Sequence, residues 1–244
     1  MIDLCIHCHN FQRRLDWLLS SILQQNDYDL SKLKINIAAL RGNGNPTTED
    51  LVDFFRHQGL NISILHFDDV DVFAKRGLVR NRQIDVTESE WLFFADADNV
   101  YHPDFFKELD VNLRKVSRIL TSVNKVHTDI NSTNSLVDSI NYPTIVPSVF
   151  EYASSLEFID KKNRKVAGGG MQVVMRSVIN KNGNGMYVSK SRDHHMFKKG
   201  QRAYSDKHFR NRLGIRTRFL DLPFQIHLNH FRDKEVGYHI EDQR

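Results

Sequence analysis

The chain is poor in cysteine and lacks long apolar runs, internal repeats and a low-complexity tail. Of 244 residues only two are cysteines, Cys5 and Cys8. They belong to Cys5-Ile6-His7-Cys8-His9, which matches the C-x-x-C-H pattern of c-type haem attachment and, in its first four residues, a C-x-x-C redox pair. Haem attachment goes with export, and a thioredoxin-like pair opens a helix. These residues lie inside a strand-like run, so they read as two buried thiols of a reducing compartment. No apolar stretch approaches the roughly 18 residues that span a bilayer. Met1-Ile2-Asp3-Leu4 lacks the basic and apolar regions of a secretory leader. The expectation is a soluble, cytoplasmic protein.

Hydrophobic residues make up 40% and charged residues 26%, which suffices for one globular core. The length suits a single α/β domain with an elaborated second half. The net charge of +4 conceals a division. Residues 161–244 hold 19 Lys and Arg against 7 Asp and Glu, a balance of +12, which leaves −8 for residues 1–160. A basic half points to an anionic partner (a nucleotide diphosphate, a nucleic acid or a membrane surface) or to solvated surface that offsets the acidic half.

The first half alternates strand and helix. Ile2 to His7, Leu33 to Leu40, Asn61 to Phe67 and the run ending at Ala95 read as strands. Phe11 to Gln25, with Leu15, Leu18, Leu19 and Ile22 at helical spacing, reads as a helix. Further helices are expected from Thr47 or Thr48 to about Gln58, from about Ala74 to Thr87, and after Pro103. This order predicts a mostly parallel sheet with right-handed crossovers. The second half is less regular. A helix is expected near Ser148 to Phe158, and Met171 to Met175 as a strand at the far side of the sheet.

Asp96-Ala97-Asp98 follows the apolar run Trp91 to Ala95. Side chains at i and i+2 leave a strand on one side, so two carboxylates emerge together at a carboxyl end, where open α/β sheets keep their crevice. Mg²⁺ or Mn²⁺ would relieve that repulsion, taking a few carboxylates and substrate phosphates. The plainer alternative is a solvated acidic turn before the next helix. Arg76 and Arg80 share one helical face; their forks could clamp phosphate, hold the acidic turn, or form exposed ion pairs.

Together these segments resemble a nucleotide-sugar glycosyltransferase of the GT-A fold, close to glycosyltransferase family two. The resemblance rests on six pieces in order. They are the strand and helix from Ile2 to Gln25 with a His-Asn turn, and Gly77-Leu78-Val79-Arg80-Asn81-Arg82-Gln83-Ile84. Phe93-Phe94-Ala95-Asp96-Ala97-Asp98 is the D-x-D motif and Gly168-Gly169-Gly170-Met171 the glycine-rich segment. The last two are Ser205 to Gly214 and His227-Leu228-Asn229-His230. The resemblance implies a Rossmann-like central sheet with a donor-binding half, residues 1–126, and an acceptor half, residues 127–244, of one domain. It implies donor contacts from His9, Arg76, Arg80, Asn81, Asp96 and Ala97, with Asp96, Asp98 and His230 holding Mn²⁺ or Mg²⁺. His227 competes with His230 for that role. Asp206 would be the general base of an inverting transfer from a UDP-sugar, with Asp193 in reserve; Ser205 or Asp206 could instead only cap a helix.

Two departures stand out. Strand two ends in Ala39-Leu40-Arg41-Gly42 without the usual acidic nucleoside contact, which leaves Arg41, Asp68 or Asp69 as substitutes. Ser205 precedes Asp206 where the family has an acidic residue. The acceptor is expected to be a saccharide or a lipid-linked sugar, or, given the basic half, DNA with a hydroxylated base, as for a phage-like enzyme. A metal-dependent nucleotidyltransferase is the alternative in another class, but no Gly-rich basic loop follows strand one. A non-catalytic binding module would not need Asp96, Asp98 and Asp206.

Overall fold

The computed structural model describes residues 1–42, 44–73, 76–115, 120–122, 125–148, 158–159, 171–181, 213, 218–220, 222–223 and 225–228. Four parallel strands form its centre: β1 (Ile2–Cys8), β2 (Leu33–Leu40), β3 (Ile62–Phe67) and β4 (Trp91–Asp96). Helix α1 (Gln12–Leu23) links β1 to β2, and α2 (Thr48–His57) links β2 to β3. A short α3 (Val70–Phe73) and then α4 (Arg76–Val86) lead to β4. The remaining elements are β5 (Asn99–Tyr101), α5 (Phe105–Leu113), β6 (Leu120–Ser122), β7 (Lys125–Thr128), α6 (Ile130–Asp138), β8 (Phe158–Ile159), β9 (Met171–Met175), α7 (Arg176–Lys181), β10 (Arg218–Leu220) and β11 (Gln225–His227).

Seven strands make one sheet in the order β10-β6-β9-β4-β1-β2-β3, and four make a second, β5-β11-β7-β8. In the large sheet β9 runs antiparallel to both β4 and β6, while the other pairs are parallel. The architecture is therefore α/β with a mostly parallel central sheet between helices. The chain walks from β1 out to β2 and β3, then returns to place β4 on β1's other side. That reversal opens a crevice at the carboxyl ends of β1 and β4.

Alternation along the strands supplies both helix layers. Leu4, Ile6 and Phe93 pack with Leu15, Leu18, Leu19 and Ile22 of α1 and Leu51, Val52 and Phe55 of α2. Cys5, Leu92 and Phe94 pack with Ile84 of α4 and Val174 and Ile179. Each such fully buried aliphatic side chain contributes about 1.5–3 kcal/mol of transfer free energy. Helix α2 starts on a capping box: Asp50 N donates to Thr47 Oγ1 at 3.1 Å and Thr47 N to Asp50 Oδ2 at 2.9 Å. That satisfies two backbone donors the helix cannot satisfy itself. Between β1 and α1 the chain turns at Asn10, φ 56°, a left-handed conformation asparagine tolerates better than most residues.

One expectation changes. Strand β9 is not at the far side but inside the sheet, between β4 and β6. Its near-continuous burial, Met171 through Val174, is what an interior strand requires. Strands β10 and β11 lie in different sheets, with Pro223, which has no N–H to donate, between them. The helix expected from about Ala74 to Thr87 is α4, Arg76–Val86, and the short α3 precedes it. The helix expected at Ser148 to Phe158 falls mostly outside the described residues, and Phe158 belongs to a strand. Among the described residues no helix is long and apolar enough to cross a membrane.

Candidate functional site

The acidic motif is the joint between the two sheets. Strand β4 ends at Asp96, a turn of Ala97-Asp98 follows, and β5 joins the second sheet. Because the strand stops at Asp96, the two carboxylates meet different neighbours instead of sharing one strand face. Asp96 pairs in register with His7 of β1 and faces arginines. Arg76 Nη1 is 3.4 Å and Arg80 Nη2 3.6 Å from its Oδ1. The two cations differ in setting: the Arg80 side chain is 2% exposed and that of Arg76 46%. The Arg80 guanidinium also lies 5.6 Å from the Phe94 ring centroid, a cation–π distance. Asn99 Nδ2 donates to Asp96 O at 3.1 Å, fixing the turn.

Asp98 is tied to the second sheet. Leu228 N donates to Asp98 O at 2.8 Å, and His227 Nδ1 stands 3.1 Å from Asp98 Oδ1. Both side chains are largely buried. The His227 ring makes an edge contact with His127, with centroids 4.8 Å apart, from the neighbouring strand where the two are register partners. Arg14 of α1 also feels this site. Burial pulls its guanidinium below its usual range, while the charges of Asp98 and Asp138 push it back up.

The crevice wall at β1 is imidazole. The His7 ring is 4.3 Å and the His9 ring 5.6 Å from Phe73. Burial, then the positive charges of Arg76 and Arg80, hold His7 well below the usual imidazole range, and burial lowers His9. Both rings are thus neutral at pH 7. Ala97 and Asn81 are buried nearby in sequence terms, on the acidic turn and on α4. At the end of β2, Arg41 Nε donates to Asp68 Oδ1 at 3.0 Å. Asp69 instead accepts from Asp71 N and Val72 N at the start of α3, so it is occupied as a cap.

Cys5 and Cys8 are free, buried thiols in β1. Burial raises both, Cys8 to about 12, which disfavours the thiolate.

A divalent ion fits this donor set. Among the described residues no three His, Cys, Asp or Glu side chains are grouped to hold a metal; at the acidic turn Asp98 and His227 stand together. Two adjacent ligands of an octahedral ion with bonds of about 2.1 Å sit about 3 Å apart, which agrees with their separation. An ion that keeps water and takes phosphate oxygens needs few protein ligands. His230, Asp193, Asp206 and Gly168 to Gly170 lie outside the described residues.

Solved structures share this architecture. TarS of S. aureus, residues 1–349, is similar with a TM-score of 0.63 at 14% identity, over 93% of this chain and 60% of that one. The chain has a GT-A-like glycosyltransferase fold. The GT-A likeness extends to TarS in complex with UDP-GlcNAc, TM-score 0.63 at 14% identity over 96% of this chain and 60% of that one. It extends also to the mannosyltransferase PcManGT of Pyrobaculum calidifontis in complex with GDP-Man and Mn²⁺, TM-score 0.61 at 12% identity over 98% and 58%. This chain thus spans about three fifths of the length of these GT-A structures. No family model matches the sequence, and no curated protein does.

Sequence reasoning missed His127 and Arg14. His127 sits in a four-residue strand, too short for a periodic signal, and Arg14 reads as one polar position of an amphipathic helix.

Proposed function

We propose that the protein is an inverting, metal-dependent glycosyltransferase that moves a sugar from a nucleotide-diphosphate sugar, a UDP-sugar, to an acceptor hydroxyl. The observation that carries this reading is the Asp98–His227 pair, 3.1 Å apart, at the carboxyl end of β4 in a GT-A-like fold. The neighbours that bind UDP-GlcNAc, and GDP-Man with Mn²⁺, support the donor class and the metal.

In the reaction the bond from the anomeric carbon to the diphosphate oxygen breaks, and negative charge gathers on the leaving nucleoside diphosphate. Asp98 and His227 would hold Mn²⁺ or Mg²⁺, with Asp96 joining through water. The ion would supply Lewis-acid neutralisation of the leaving diphosphate. Arg76, half exposed beside Asp96, reaches toward the same charge. Arg80 keeps the turn in place from beneath. Neutral His7 and His9 line the donor side without adding charge. Asp206 takes the proton from the acceptor hydroxyl as its oxygen attacks from the face opposite the diphosphate. The acceptor is a saccharide or lipid-linked sugar; an anionic acceptor such as hydroxylated DNA is the variant that the +12 balance of residues 161–244 favours.

The test is nucleoside-diphosphate release from a panel of nucleotide sugars with Mn²⁺. Slow release from one donor, lost in Asp98→Ala, supports the reading. Release of pyrophosphate from nucleoside triphosphates would favour nucleotidyl transfer instead.

A further inference from the structure

We propose that His127 is a positioning residue that sets the orientation of the His227 imidazole toward Asp98. The proposal rests on the metal site of the glycosyltransferase reading. Strand β11 lies between β5 and β7 in the second sheet. Its His227 is the register partner of Asn99 on the β5 side and of His127 on the β7 side. Side chains directly opposite each other on paired strands share a face of the sheet and touch. The His127 and His227 rings do so edge to face, at 71° with centroids 4.8 Å apart, an arrangement aromatic quadrupoles favour.

The backbone holds that contact in place. Thr128 Oγ1 donates to His227 O at 3.2 Å, and Thr128 is in turn hydrogen-bonded to Thr133 on α6. On the other flank Leu228 N donates to Asp98 O. The His227 ring therefore has the Asp98 carboxylate 3.1 Å from its Nδ1 and the His127 ring against it. An imidazole has two soft side-chain torsions, so a neighbouring ring that removes alternatives fixes where Nδ1 points. Groups that orient metal-binding imidazoles affect metal affinity about 10–100-fold when removed. An edge-to-face ring contact belongs at the lower end of that range. His127 acts in this arrangement through its ring contact and not as a ligand.

The experiment titrates Mn²⁺ into the full chain, reading free ion by electron paramagnetic resonance, for wild type and His127→Ala, His127→Leu, His127→Phe and His227→Ala. Circular dichroism checks the fold of each. His227→Ala is expected to abolish tight binding. His127→Ala and His127→Leu weaken it about tenfold, and His127→Phe, which keeps a ring at that position, stays within about twofold. Equal losses in His127→Phe and His127→Ala would make His127 a ligand and overturn the proposal, as would no loss in His127→Ala and His127→Leu. Should His127→Ala fail to fold, His127→Leu answers the question. If wild type itself binds no Mn²⁺, the metal reading fails, and the His227 ring resonance decides separately. One sharp Cε1–H line in wild type that broadens or splits in His127→Leu supports positioning; an unchanged line overturns it.

Discussion

His227 Nδ1 and Asp98 Oδ1 stand 3.1 Å apart although 129 positions separate them in the chain. The β11–β5 ladder brings them together, with Leu228 N bonded to Asp98 O. The second sheet therefore does more than extend the fold: it delivers an imidazole from the far end of the described chain to the acidic turn. Asp96, two residues earlier, is left to the arginines of α4.

Removing either member of that pair separates metal binding from folding. Asp98→Ala and His227→Ala are expected to lose Mn²⁺-dependent nucleoside-diphosphate release by at least about 10²-fold, a loss that belongs to the electrostatic stabilisation of a leaving group. Release assays with and without chelator check this. Residual activity that ignores the chelator in both variants would remove the metal from the account.

Arg76 and Arg80 are one helical turn apart yet should fail differently. Arg80 is buried under Phe94 and Asp96, so Arg80→Ala costs stability, about 2–3 kcal/mol. Arg76 is half exposed, and Arg76→Ala should change stability by less than about 1 kcal/mol while weakening donor affinity several-fold. Denaturant melts and UDP titrations on both variants test the split. Equal effects on stability would contradict it.

Asp206→Asn is expected to bind the donor as wild type does and to transfer about 10²–10⁴-fold more slowly, the usual range for a general base. Donor titration and acceptor turnover are measured on the same preparation. Unimpaired transfer would move the base to Asp193.

Asp16 gives a pH dependence unconnected with the metal. It is fully buried on α1, accepts from Thr144 N at 3.1 Å, and burial raises it to about 7. The native state keeps this proton up to about pH 7, whereas the unfolded chain releases it near 4. Native protein therefore binds more protons between those values, and stability falls as pH rises across the window. Asp16→Asn removes the cost of ionising there and should stabilise at pH 8 by on the order of a few kcal/mol. The gain should shrink toward zero near pH 4. Thermal melts at both pH values decide, and a gain independent of pH would show that ionisation of Asp16 is not its source.

The central sheet was legible because its signals are local and repeated. Leu15, Leu18, Leu19 and Ile22 announce α1, and Leu33–Leu40 matches the expected strand. Asp96 and Asp98 stand out because they end an apolar strand. The second sheet was not legible: β5, β7 and β11 are three or four residues long, below the length at which alternation can be read. Pairing across a hundred residues, as between His127 and His227, leaves no trace in either segment alone. The interior position of β9 depends likewise on β6 and β10 lying beyond it. Register places His227 beside Asp98, and His230, the ligand the family pattern points to, lies outside the described residues.

The most direct measurement is the location of Mn²⁺ by anomalous diffraction in a crystal soaked with Mn²⁺ and UDP. The account expects the ion between Asp98 Oδ1 and His227 Nδ1, bridged to the diphosphate, with Arg76 turned toward the phosphates. A nucleotide bound elsewhere, or bound here with Asp98 and His227 touching neither ion nor diphosphate, would contradict it.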